Sequence, residues 1–199
     1  MPRTDWSLGV LLGGASRRMG QDKALLTVGT LTLLEHVLAR CQSDKIETIL
    51  SVGHKDREIP SGLSGITRVP DRETGGGPLF GIEALLSATT TTWLVVIPCD
   101  MPGLQHDHLT ELLKPMDEGD SAIYETDGTQ LVMPMVLRTA WAKSVLPQIL
   151  NSGKRRIVDL LDQGQKTLVS RPKSEASIRA FHNINTQSEF QAFCDLDLG

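Results

Sequence analysis

Apolar residues along this chain fall into short runs separated by stretches with helical spacing. Leu8 to Leu12 is the first run, apolar enough to be a strand covered on both faces. Leu33, Leu34, Val37, Leu38 and Cys41 then share one face of a helix, and Thr32 with Glu35 forms a capping box at its start. A second strand is predicted over about Ile46 to Val52, a helix over Gly81 to Ala88, and the most apolar strand over Trp93 to Pro98. The region from His108 to Leu113 reads as a helix. Strands near Ala122 to Glu125 and Leu131 to Leu137 flank a turn at "TDGT", and helices follow near Ala140 to Leu150 and Arg156 to Leu161. A short strand near Thr167 to Ser170 precedes a last helix, which Thr186 and Glu189 open as a second capping box. Strand and helix in alternation predict βα units feeding a mainly parallel sheet.

Length and composition narrow this picture. At 199 residues the chain suits one α/β domain over 1–199, with no repeat, low-complexity tract or linker to divide it. Hydrophobic residues make up 40% and charged ones 22%, the balance of a globular protein and not of a disordered chain. No apolar stretch is long enough to cross a bilayer, and the opening "MPRTDWSLGV" lacks the build of a signal peptide, so a cytoplasmic protein is expected. Cys41, Cys99 and Cys194 are odd in number and widely spaced, which predicts reduced, packed thiols and no disulfide framework or C-x-x-C metal site. The net charge of −4 argues against a general nucleic-acid binder.

Against that acidic background, "LLGGASRRMGQDK" concentrates positive charge on one glycine-rich loop at the carboxyl end of the first strand. Ligands of open α/β sheets bind at such ends. Gly13 and Gly14 let backbone N–H groups approach a phosphate or base edge, and Arg17, Arg18 and Lys23 supply charge to fold over a polyphosphate. The loop is not a Walker A motif, because Gly20 is followed by Gln21 and Lys23 by Ala24, and no dinucleotide G-x-G-x-x-G fingerprint is complete. Basic residues on a loop are more often plain surface charge. Two further stretches favour a site. In "VVIPCDMPGL" an apolar strand ends at a proline with Asp100 just beyond it, placed to hold Mg²⁺ against a phosphate. In "PDRETGGGPLFG" three consecutive glycines permit close backbone approach. Taken alone, the first is an ordinary turn former and the second a flexible turn. His36, His106, His108 and His182 have no metal-ligand spacing, and Trp6, Trp93 and Trp141 read as packing residues.

Taken together, R-R-M-G-x-D-K in the glycine-rich loop, Asp71 ahead of G-P-L-x-G, the strand ending P-C-D-M-P, "GKRR" and "NINT" resemble the molybdenum cofactor guanylyltransferase (MobA) family, in order and over nearly the whole chain. The resemblance implies a Rossmann-like nucleotidyltransferase fold, a three-layer α/β/α sandwich. It also implies transfer of GMP from GTP to molybdenum-molybdopterin, with Mg²⁺ as cofactor. By position, Leu11, Leu12, Gly13 and Gly14 would line the guanine and ribose pocket, Lys23 would contact the phosphates, Asp71 would belong to the nucleotide site and Asp100 would bind the metal. Gly77, Gly81, Arg156, Asn183 and Asn185 would face the pterin, with Arg18 near the junction; without the family pattern Arg155 and Arg156 are helix-surface charges whose roles a register shift would exchange. The chain departs from the pattern at Leu12, where the family usually has Ala, and at the second strand end, where Ser51 or His54 stands in place of an Asn that contacts guanine. Transient contact with a molybdenum-insertion protein and with the target molybdoenzyme or its chaperone is a further implication.

The chemistry itself asks for no nucleophilic side chain. A phosphate monoester is already an anion at neutral pH, so attack on an α-phosphorus needs positioning and charge stabilisation. Asp100 through its metal, Lys23 and Arg18 are the catalytic candidates. Relatives that use cytidine often carry Ala-Gly where this chain has Gly13–Gly14, so the resemblance implies guanine over cytosine. Two alternatives remain: a cytidylyl- or sugar-nucleotidyltransferase of the same fold, and a nucleotide-binding protein without turnover.

Overall fold

The computed structural model describes residues 5–12, 22–63, 65–171 and 173–197. In chain order the elements are β1 (Trp6–Leu11), the small hairpin β2 (Thr27–Val28) and β3 (Leu31–Thr32), α1 (Leu33–Cys41), β4 (Thr48–Ser51), β5 (Thr67–Val69), α2 (Pro78–Ala88), β6 (Trp93–Pro98) and α3 (His106–Leu113). They continue with β7 (Ser121–Thr126), β8 (Thr129–Arg138), α4 (Thr139–Asn151), α5 (Ile157–Leu161), β9 (Lys166–Ser170), α6 (Glu175–Ala180) and α7 (Gln187–Asp197). A seven-stranded sheet runs in the order β5-β4-β1-β6-β8-β7-β9. Strand β8 is antiparallel to both of its neighbours, and every other pairing is parallel. The mainly parallel sheet flanked by helices is the α/β architecture expected.

All six residues of β1 are buried, as the unbroken apolar run requires of a strand with neighbours on both edges and helices on both faces. Its partners β4 and β6 pair with it so that Leu11 lies opposite both Ser51 and Pro98, which brings three strand ends to one edge. Helix α1 carries both halves of its capping box, Thr32 and Glu35, and buries Leu33, Leu34, Val37, Leu38 and Cys41. A second reciprocal cap joins Thr186 and Glu189 ahead of α7.

Helix α2 starts at Pro78 and not at Gly81. Proline is preorganised for the first helical position, and Gly77 before it takes φ 100, a conformation only glycine adopts without strain. Gly81 therefore lies inside the helix. The hairpin β2–β3, the edge strand β5 and helix α6 were not expected: two-residue strands carry no alternation to read, and β5, Thr-Arg-Val, is largely exposed.

The segment that carries Asn183 and Asn185 pairs with no strand of the described residues. It is fastened instead by the Ile184 N–H, which donates to the Asp100 carbonyl at 2.8 Å. Ile184 also packs with Val28, Leu33 and Phe190 in a small apolar cluster that joins the hairpin, α1 and α7. Cys41 and Cys99 are buried and Cys194 is half-buried, all as free thiols. Among the described residues no helix is long and apolar enough to cross a membrane.

Candidate active site

The edge where β1, β4 and β6 end is held together by backbone bonds just beyond the sheet. The Cys99 N–H donates to the Leu11 carbonyl at 3.1 Å, and the Leu12 N–H donates to the Ser51 carbonyl at 3.2 Å. The side chains of Leu11 and Leu12 are buried. They brace the edge from within and leave the larger residue at position 12 in the core. Asp100 follows Cys99 directly, and Lys23 arrives from a short 3₁₀ turn, Lys23–Leu25. Lys23 Nζ stands 3.6 Å from Asp100 Oδ2, donates to the Ile184 carbonyl at 2.8 Å and donates to Asn185 Oδ1 at 3.1 Å. Residues 23, 100 and 185, distant in sequence, thus form one cluster.

Asp71 joins the same edge from beyond β5. Its Oδ1 accepts from Ser51 Oγ at 2.6 Å, and its N–H donates to the Gly53 carbonyl at 3.0 Å. Gly81 of α2 closes in from above. A β-carbon there would lie 2.7 Å from Leu11 Cδ2, 2.8 Å from Ser51 Oγ and 3.7 Å from Asp71 Oδ2. The helix can approach this edge only because position 81 has no side chain.

The remaining expected residues are spread along the rim. Asn185 is exposed and its N–H donates to Glu189, while Asn183 is half-buried. Gly77 packs against Arg155, whose Cβ and carbonyl lie 3.5 Å from where a β-carbon would be. Arg155 and Arg72 each place a guanidinium over Phe80, at 5.0 and 5.2 Å from the ring centre. Arg156 instead is 77% exposed and pairs with Asp159. Arg155, not Arg156, is therefore the arginine seated beside Gly77. Gly13, Gly14, Arg17 and Arg18 lie outside the described residues.

Burial pushes the Asp100 carboxyl above its usual range, and the Lys23 ammonium pulls it back. Asp100 Oδ1 is buried and has no hydrogen-bond partner among the described residues. An orphaned carboxylate oxygen is costly unless a cation or donor meets it, which is the chemistry of a ligand atom for a hard divalent ion. Among the described residues no cluster of three or more His, Cys, Asp or Glu could hold a metal. Mg²⁺ needs no such cluster, since one or two carboxylates together with substrate phosphates and water suffice. The neighbouring Cys99 thiol is pushed up to about 12, chiefly by burial, and is inert as a nucleophile at neutral pH.

Sequence reasoning missed two residues that the edge depends on. Asp22, immediately before Lys23, caps the 3₁₀ turn through Oδ1, which accepts from the Ala24 N–H at 3.1 Å. Arg57 grips that carboxylate, with Nε donating to Oδ2 at 2.7 Å. The "DK" pair hinted at the first; nothing local marked the second.

A family profile described as MobA-like NTP transferase domain matches residues 9–168. A probable molybdenum cofactor guanylyltransferase of Pelotomaculum thermopropionicum is 31% identical over 183 residues, 90% of this chain and 87% of the relative. One from Bacillus cereus is 29% identical over 194 residues, 94% of this chain and 95% of the relative. Among solved structures, molybdopterin-guanine dinucleotide biosynthesis protein A from Archaeoglobus fulgidus superposes with a TM-score of 0.79 at 22% identity, covering 96% of this chain and 98% of that one. The 2-C-methyl-D-erythritol 4-phosphate cytidylyltransferase of Thermus thermophilus gives 0.71 at 18% identity, with 96% and 98% covered.

Proposed function

The chain belongs to the MobA-like NTP transferase family, and we propose that within it this protein transfers GMP from GTP to the terminal phosphate of molybdenum-molybdopterin, releasing pyrophosphate. The observation that carries the reading is the buried Asp100 Oδ1 just beyond the end of β6, which has no partner among the described residues, with Lys23 Nζ 3.6 Å from the other oxygen of the same carboxylate. A carboxylate kept dry and half-neutralised is suited to a divalent ion that arrives with a nucleotide.

In the reaction, an oxygen of the acceptor phosphate forms a bond to the α-phosphorus as the bond from that phosphorus to the pyrophosphate oxygen breaks. No proton need be removed from the attacking anion, so the protein's task is to align two anions and hold the charge that leaves. Lys23 donates to phosphate oxygens, exchanging the Ile184 carbonyl for a charged acceptor. Asp71, fixed by Ser51, accepts from donor groups of the nucleoside. By the family resemblance, Gly13 and Gly14 would offer backbone N–H groups to the nucleotide and Arg18 would act near the junction with the acceptor. Gly77, Arg156, Asn183 and Asn185 would form the acceptor side, with Gly81 between it and the nucleotide edge at Leu11, Ser51 and Asp71, and Arg155 on Phe80 supplies the guanidinium beside Gly77. Asp100 would hold the Mg²⁺, which when bound supplies neutralisation and polarisation of phosphate oxygens.

Pyrophosphate release, measured with each of the four nucleoside triphosphates and with molybdenum-molybdopterin present or omitted, tests this. Release with GTP and the pterin together is expected. Release with CTP in its place would assign the protein to cytidylyl transfer, the activity that the Thermus thermophilus neighbour is named for. GTP binding without release would make it a nucleotide-binding protein only.

A further inference from the structure

One guanidinium closes the base of the glycine-rich loop. Arg57 Nη2 donates to the Leu12 carbonyl at 2.9 Å and also to Asp22 Oδ1, while Nε donates to Asp22 Oδ2 at 2.7 Å. Leu12 is the last described residue before positions 13–21, and Asp22 the first after them. The two ends of the segment are therefore tied to one planar group with its fork on a carboxylate. The Arg57 side chain is 14% exposed, so water screens these bonds little.

Arg57 is itself held by the turn after β4. Its N–H donates to the His54 carbonyl at 3.1 Å, and Gly53 opens that turn at φ 69. The carbonyl of Gly53 also accepts from Asp71 N–H. The same turn therefore seats Arg57 and Asp71 together. On the other side, the Asp22 carboxylate that receives the fork also caps Ala24, so Lys23 is set between two points fixed by Asp22.

We infer that Arg57 is a positioning residue for nucleotide binding: by joining Leu12 to Asp22 it fixes the separation of those two residues and the place of Lys23, and it cancels the carboxylate charge of Asp22 beside the phosphate site. This rests on the reading of the loop as the seat of a nucleoside triphosphate. A lysine cannot replace it, because an ammonium lacks the rigid fork that reaches both Asp22 oxygens and the Leu12 carbonyl.

Four variants test the inference: Arg57→Ala, Arg57→Lys, Asp22→Asn, and Lys55→Ala, which removes an exposed cation of the same loop. Without any ligand, hydrogen exchange of the Ala24, Leu25 and Leu26 amides should quicken in both Arg57 variants and in Asp22→Asn, with exchange in the sheet unchanged. With ligand, the dissociation constant for GTP should rise about 10- to 100-fold in both Arg57 variants and stay near the parent value in Lys55→Ala. The KM for the pterin acceptor should not move. Millimolar guanidinium should restore much of the GTP affinity of Arg57→Ala, which it would not do for a misfolded chain.

Unchanged amide exchange, equal losses in Arg57→Ala and Lys55→Ala, or full affinity in Arg57→Lys would each overturn the inference while leaving the proposed activity standing. Parent protein that binds no nucleoside triphosphate would instead overturn the reading on which it rests.

Discussion

At the ends of β1, β4 and β6 the charged groups are largely out of water and bonded to one another. Lys23 reaches three partners, Asp71 is fixed by Ser51, and Asp22 and Arg57 are locked as a fork. The rim formed by Gly77 and Arg156 is different: Gly77 is exposed and Arg156 points into solvent beside Asp159. The first region is anchored on three parallel strands, with residues 184 and 185 bonded onto it, and the second rides on the connections that lead into α2 and α5. An edge built in the first way is set before any ligand arrives, so its groups lose little freedom on binding. A rim built in the second way keeps its charge in water and has more freedom to lose on binding.

The sharpest way to break this comparison is at Asp100. Asp100→Ala should lower turnover about 10²- to 10³-fold in the pyrophosphate assay, whereas Arg156→Ala should change it only a few-fold, through the KM for the acceptor. Next comes Gly81. A valine there must displace Leu11 and Ser51 and should cost about 1–3 kcal/mol in denaturant unfolding, while substitutions at exposed Gly65, with open space around it, should cost less.

Asp100→Asn separates function from stability. Burial raises the folded carboxyl above its ordinary value of 3.8, so between that value and the raised one the folded state binds more protons than the unfolded state. Stability therefore falls as pH rises through that window and stays lower at neutral pH. The asparagine variant escapes the loss. It should melt higher than the parent at pH 7, and the gap should narrow as the pH is lowered towards 3.8. A lower melting temperature for the variant at pH 7 would show that the ionised carboxylate is well solvated. The smallest effects belong to the rim: Arg155→Ala should cost about 0.5–1 kcal/mol through its lost contact with Phe80, and Arg156→Ala should leave the melting temperature unchanged.

The buried strands were legible because full burial leaves its mark on composition. The runs Leu8 to Leu12 and Trp93 to Pro98 correspond to β1 and β6, and Thr32–Glu35 and Thr186–Glu189 are local caps with local signals. Strand β5 was not legible, since an exposed edge of Thr-Arg-Val carries no apolar pattern. Of the site, Lys23 and Asp100 were singled out by motif and strand position, and they meet. Arg57 was not, because its partners Leu12 and Asp22 lie 45 and 35 residues away and no spacing encodes such a contact. Arg155 and Arg156 are neighbours in sequence, and only the turn before α5 decides which one faces Phe80.

The bond from Lys23 to Asn185 spans 162 residues. On a growing polypeptide the lysine and Asp100 are both synthesised long before their common partner exists, so the cluster cannot be assembled until translation has passed position 185. Nascent chains stalled earlier would carry the cation and the carboxylate yet lack the segment that docks onto both, and the complete pocket becomes available to its substrates only once that segment has emerged.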